Sequence, residues 1–220
     1  MKSTKDDPEV LERTASHVRA LLAGDSAGHD WWHIHRVRQY AIRIGQREGA
    51  DLFVVQLAAL LHDIADWKFH DGNDLLGPQL AADWLAGLNV DVDTIEHVCE
   101  IIADLSFKGA GVATPMRTLE GTVVQDADRL DAIGAIGIAR AFAYGGHAGR
   151  TMYDPEIPPE KHASFEAYKK NRGPTINHFY EKLLLLKDRM NTPTGRELAA
   201  ARHQTMEQFL DRFFSEWNGG

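Results

Sequence analysis

His62 and Asp63 lie near the end of a run, Asp51–Asp66, that is apolar almost all round: Leu52, Phe53, Val54, Val55, Leu57, Ala58, Ala59, Leu60, Leu61 and Ile64. A helix with no polar face belongs inside a core. Two groups that resist burial therefore sit side by side where burial is greatest. A buried carboxylate requires a charge partner or a metal, and imidazole is a common metal ligand. The doublet calls for further ligands from elsewhere in the chain.

The surrounding pattern is helical. Pro8 opens a first helix running to about Ala23, with Gly24 after it. Asp30 or a neighbour caps a second through about Glu48, and its stripe Ile34, Val37, Ala41, Ile44 has helical spacing. Further helices are expected over Asn73–Ala86, Asp93–Leu105, Leu119–Tyr144, Thr175–Met190 and Thr194–Trp217. In the long Leu119–Tyr144 helix, Gly134 and Gly137 would serve close packing. No run alternates as a strand does, so the expected fold is all-α. One domain over 1–220 is expected, with a core over about 21–144 and C-terminal helices over about 174–217. Between them Gly145–Pro174 is rich in Gly and Pro and carries Arg150, Lys161, Lys169, Lys170 and Arg172. A long loop of this kind is either a solvated excursion or a functional segment.

His29 and His33 form an i,i+4 pair, and His33 lies just off the apolar stripe. Near the other end of the core, Val123-Val124-Gln125-Asp126-Ala127-Asp128-Arg129-Leu130-Asp131 sets three carboxylates into an apolar helix. That is costly unless they serve a site. His33, His62, Asp63 and Asp128 would make a two-nitrogen, two-oxygen metal site, with His29, Asp126 and Asp131 as competing ligands. Mixed imidazole and carboxylate donors suit Mn, Fe, Co, Ni or Zn and suit Mg less well.

Charge narrows the partners. A net charge of −8 over 220 residues argues against a nucleic acid polymer, whose binding needs a basic face. A small phosphorylated ligand stays open, because a metal supplies positive charge. Cys99 is the single cysteine. It reads as a small packing residue, and the cysteine usage points to a reducing, cytoplasmic setting. No apolar run reaches membrane-spanning length, and no signal-peptide pattern precedes the first helix. A homodimer is an open alternative to a monomer.

These residues carry a resemblance. His33, His62-Asp63 and Asp128 match the H…HD…D pattern of the HD-domain metal-dependent phosphohydrolases. The runs Gly28–Val37, Leu60–Phe69, Val123–Phe142 and Asn177–Thr192 resemble the bacterial YedJ/YpgQ-type branch, so the likeness spans about Leu21 to Trp217. A lone HD dipeptide would mean little; four runs in order are a strong signal. The motif register favours His33 over His29 and Asp128 over Asp126 and Asp131. The resemblance implies an HD-domain helical bundle holding one divalent ion (Mn favoured, with Co, Ni, Fe, Zn or Mg as alternatives) on His33, His62, Asp63 and Asp128.

The implied reaction is phosphoryl hydrolysis, with nucleoside triphosphate cleaved to monophosphate and pyrophosphate. In some relatives an acid one turn after the first residue of the doublet assists the attacking water. Asp66 holds that place here, with Asp63 as the other carboxylate at the reacting centre. Arg36, Lys68, Arg129, Tyr153, Lys169 and Lys170 are the expected contacts to the substrate. A nucleotide 5′-monophosphatase and a non-catalytic nucleotide- or metal-binding sensor are the alternative readings. No GYP run follows the doublet, which disfavours cyclic dinucleotide hydrolysis.

Overall fold

The computed structural model describes residues 7–23, 30–64, 76–105, 114–160 and 172–220. Among them are nine α-helices, one 3-10 segment and no strand, so the chain is all-α. In chain order they are α1 (Pro8–Leu21), α2 (Trp31–Glu48), α3 (Leu52–Leu61), α4 (Leu76–Gly87), α5 (Val92–Asp104), α6 (Leu119–Asp131), α7 (Gly134–His147), α8 (Thr175–Glu181), the 3-10 segment Leu183–Arg189 and α9 (Pro193–Trp217). The described residues fall into two compact units. One is built from the described residues between 7 and 105 together with 114–128, the other from 129–160 and 172–220.

In the first unit α3 is the central element. Asp51 caps it by accepting from the N–H groups of Phe53 and Val54. Eight of its ten residues are buried, as its all-round apolar sequence requires. α1, α2 and α5 pack on it, and α4 pairs with α5. α2 starts on Asp30, whose carboxylate accepts the His33 N–H at 2.9 Å. It ends on Gly49 in the left-handed conformation. The α2 stripe Ile34, Val37, Ala41 and Ile44 is fully buried.

In the second unit α7, α8, the 3-10 segment and α9 pack together. The core there is aromatic: Phe142, Phe179 and Phe209 stand with ring centroids 5.7–6.1 Å apart. Arg202 donates to the Leu130 carbonyl at the end of α6.

Three expected helices come out differently. The apolar helix stops at Leu61, and residues 62–64 form a turn. The Ala59 carbonyl, which residue 63 would use in a continuing helix, accepts the His62 ring N–H at 2.9 Å. The long Leu119–Tyr144 helix is two helices. Gly134 has φ of +75°, which a residue with a side chain rarely adopts, and the chain turns there. Gly134 thus breaks the helix and also serves close packing, since a Cβ there would meet the Arg202 side chain at 3.0 Å. Thr175–Met190 is also divided. After α8, Lys182 leaves helical geometry, and Leu183–Arg189 winds as a 3-10 segment that buries Leu183 and Leu186. Residues three apart eclipse in that conformation, so both leucines face one side.

Candidate metal centre

Two helices and one turn of the first unit converge on a polar cluster. The first turn of α2 brings His33, the turn after α3 brings His62 and Asp63, and the last part of α6 brings Asp128. His33 Nε2 lies 3.3 Å from His62 Nε2, 3.3 Å from Asp63 Oδ2 and 3.6 Å from Asp128 Oδ1. His62 Nε2 lies 3.6 Å from Asp63 Oδ2 and 3.9 Å from Asp128 Oδ1. Both imidazoles are almost completely buried, at 1% and 2% side-chain exposure, while Asp128 is 37% exposed. One side of the cluster is therefore reachable from solvent.

The termination of α3 explains how neighbours in sequence share one focus. Adjacent residues on a helix point about 100° apart and do not face a common point. Leaving the helix at Leu61 lets His62 and Asp63 both reach His33. The tautomer of His62 follows from its other contact. The Ala59 carbonyl can only accept, so His62 carries a proton on Nδ1 and turns Nε2 toward the cluster. That is the usual arrangement of a metal-binding histidine.

The donor set fits a divalent cation. Ligands about 2.1 Å from a common centre stand about 3.0–3.4 Å apart, close to the shorter separations here. Two carboxylates and two imidazoles packed this tightly without a cation would be costly. His33, His62 and Asp128 each offer a ligand atom within 4.8 Å of the others. Asp63 joins them through both imidazoles.

The remaining expected residues fall in several places. Arg36 is half-buried on α2, one turn beyond His33 on the same helix. Arg129 follows Asp128 on α6 but belongs to the second unit, where its guanidinium donates to the Arg189 carbonyl. Tyr153 is also in the second unit. Its ring meets Phe213, Phe214 and Trp217 edge-on, with centroids 5.0–6.0 Å apart. Asp66, Lys68, Lys169, Lys170 and the competing His29 lie outside the described residues. Of the other competing ligands, Asp126 and Asp131 are buried completely.

The described part of the Gly/Pro-rich segment is tied down. The Thr175 and Ile176 N–H groups donate to the Thr151 and Met152 carbonyls. Asn177 Nδ2 donates to the Ile157 carbonyl at 2.8 Å, and the Glu160 N–H donates to Glu181 at 3.1 Å. Gly145 and Gly146 belong to α7. Cys99 keeps its packing role. Its Sγ lies 3.2 Å from the Pro78 carbonyl, and burial pushes the thiol pKa up, away from nucleophilic chemistry.

One residue that the sequence reading passed over is Arg140. It makes a 2.6 Å ion pair with the fully buried Asp131, three residues after Asp128. Its signal was a single cation in an otherwise apolar α7, nine residues beyond a carboxylate set in an apolar helix.

Comparisons with known proteins agree with this geometry. The family model for the HD domain matches residues 31–133, which include all four clustered side chains. YpgQ of Bacillus subtilis is 43% identical over 200 residues, covering 90% of this chain and 89% of that protein. A crystal structure of a Bacillus thuringiensis HD-superfamily hydrolase is similar with TM-score 0.75 and 46% identity, over 96% of this chain and 98% of that one. The Bacillus subtilis YpgQ structure in complex with ADP is similar with TM-score 0.74 and 37% identity in the superposition, over 94% and 97% of the two chains.

Proposed function

Because the chain belongs to the HD-domain family, we propose that its cluster is the centre of a metal-dependent phosphohydrolase that cleaves nucleoside triphosphates to monophosphate and pyrophosphate. The observation that carries the reading is the meeting of His33, His62, Asp63 and Asp128 within ion-binding distances, with one carboxylate open to solvent. ADP on the YpgQ relative supports a nucleotide as the ligand class.

These four side chains would hold one divalent ion, with Mn favoured among Co, Ni, Fe, Zn and Mg. Such an ion supplies Lewis acidity toward a phosphoryl oxygen and makes water a nucleophile at neutral pH. The chain's own residues do the rest. Asp66 accepts a proton from the attacking water, a role worth about 10²–10⁴-fold. Water oxygen bonds to the α-phosphorus, the α–β bridging bond breaks, and pyrophosphate leaves with the bonding pair. A triphosphate carries more negative charge than one divalent ion offsets. Arg36, Lys68, Lys169 and Lys170 would supply cations for its oxygens, while Arg129 is held on the Arg189 carbonyl. Asp63 holds its place as ligand and as the second carboxylate at the reacting centre.

The test is a nucleotide panel assayed with Mn, Co, Ni, Mg and Zn, with products separated by chromatography. Pyrophosphate and nucleoside monophosphate in equal amounts are expected. Orthophosphate from monophosphates alone would make the protein a 5′-monophosphatase. Nucleotide binding without any product would leave it a sensor.

A further inference from the structure

The elements that bring ligands to the cluster also meet at their other ends, within the first unit. α3 begins at Leu52 and stops just before His62 and Asp63. Glu120, on the first turn of α6, reaches that beginning: its Oε1 accepts the Asp51 N–H at 3.0 Å. Asp51 is the cap of α3, so its own N–H makes no intrahelical bond. α2 runs the opposite way, with His33 near its start and Gly45 near its end. A Cβ added at Gly45 would meet Leu52 Cδ2 at 2.9 Å and Val123 Cγ1 at 3.7 Å.

From Asp51 to His62 is eleven residues and from Glu120 to Asp128 is eight. Those lengths are about 16 Å and about 12 Å of helix. The starts touch and the ends touch, so α3 and residues 119–128 of α6 run in the same direction and are joined at both ends. The register of α2 against α3 has other supports. Only residues 49–51 stand between them, and Arg38 donates twice to Gln56 Oε1, at 2.8 and 3.1 Å. α6 arrives from far along the chain, and connectivity does not set its register against α3.

Glu120 is itself held. Thr118 Oγ1 accepts the Gly121 N–H at 3.2 Å, and His97 Nε2 lies 2.8 Å from that hydroxyl and 3.7 Å from Glu120 Oε2. An acid in the first turn of a helix is ordinarily explained by the helix dipole and stays in solvent. The Glu120 side chain is instead only 15% exposed and turned onto Asp51. A helix is stiff along its axis, so sliding α6 along α3 moves Asp128 past the ligand turn by the same amount. Separations of 3.6 and 3.9 Å from Asp128 to the two imidazoles leave little room for that before an ion loses a ligand.

We infer that Glu120 is a positioning residue of the metal centre: its bond to the cap of α3 sets the register in which Asp128 meets His62 and Asp63. It stands about 12 Å along the helix from Asp128 and touches neither ion nor substrate. Every residue involved belongs to the first unit. The inference rests on the four-ligand reading above.

The experiment is calorimetric titration of Mn²⁺ alone into chelator-stripped full-length protein, beside thermal melting of the metal-free forms. Glu120→Ala should weaken Mn²⁺ binding by about threefold to tenfold, since the coupling is bounded by the net worth of one hydrogen bond. Glu120→Gln keeps an oxygen acceptor and should recover most of that loss. Parental Mn²⁺ affinity in Glu120→Ala, with only a lower melting temperature, would overturn the inference and leave Glu120 as a first-turn acid. A loss in Glu120→Gln equal to that in Glu120→Ala would overturn it too, because the bond to Asp51 would not be the cause. Should Glu120→Ala not fold, Glu120→Asp keeps the charge and draws it back by one methylene. It should weaken Mn²⁺ in the same direction, and unchanged affinity there overturns the inference equally. His62→Ala separates the two levels. If it binds Mn²⁺ as the parent does, the ligand assignment itself has failed. If it loses Mn²⁺ while Glu120→Ala does not, only the positioning role has.

Discussion

The end of α3 and the aromatic face of α9 make opposite uses of conspicuous residues. Around His62 an apolar helix stops, and its last residues turn polar atoms toward one another at 3.3–3.9 Å. Around Tyr153 the chain surrounds a residue of mixed character with Phe213, Phe214 and Trp217. The first arrangement gathers imidazole and carboxylate donors at separations that suit an ion. The second commits the ring to carbon contacts and calls for nothing. A residue type is therefore a poor guide to a site until its neighbours are known.

The largest effect should come from His62→Ala. It should leave a folded protein with little bound metal by elemental analysis, and turnover should fall to background. Full metal content would remove the distinction between the two regions. Asp66→Asn comes next. It should keep the metal and lose about 10²–10⁴-fold in turnover, as expected when a general base is removed. Unchanged turnover in a metal-replete sample would remove Asp66 from the reacting centre.

A double change, Lys169→Gln with Lys170→Gln, should act more mildly and mainly on binding. Lost charge-assisted hydrogen bonds are worth about 1.5–3 kcal/mol each, so the apparent KM for a triphosphate should rise about tenfold or more. The KM for a monophosphate should rise less. Equal changes for both would detach these lysines from the polyphosphate tail. The smallest effect belongs to Tyr153→Phe. It keeps the edge-on ring contacts, worth about 0.5–1.5 kcal/mol each, and removes only the hydroxyl. Unchanged KM is expected from packing; a raised KM would give the hydroxyl a role toward substrate and blur the comparison.

Much of this was legible in the chain. The apolar run ahead of His62-Asp63 forced the doublet into a core, and α3 is that core element. A cap at Asp30 or a neighbour and the Ile34–Ile44 stripe placed α2, and with it His33. What escaped were breaks in otherwise helical patterns. The stop at Leu61 involves a side-chain ring reaching a backbone carbonyl, which hydrophobic periodicity does not record. The turn at Gly134 depends on a positive φ that its neighbours only permit. The Arg140–Asp131 pair joins residues on two helices whose separation is decided by that same turn, so neither residue alone announced the other.

The most direct measurement is anomalous diffraction from crystals of the full-length protein grown with Mn²⁺. The account predicts one strong peak about 2.0–2.3 Å from His33 Nε2, His62 Nε2 and one oxygen each of Asp63 and Asp128. A peak bound elsewhere, or none at this cluster with the metal in excess, would contradict it.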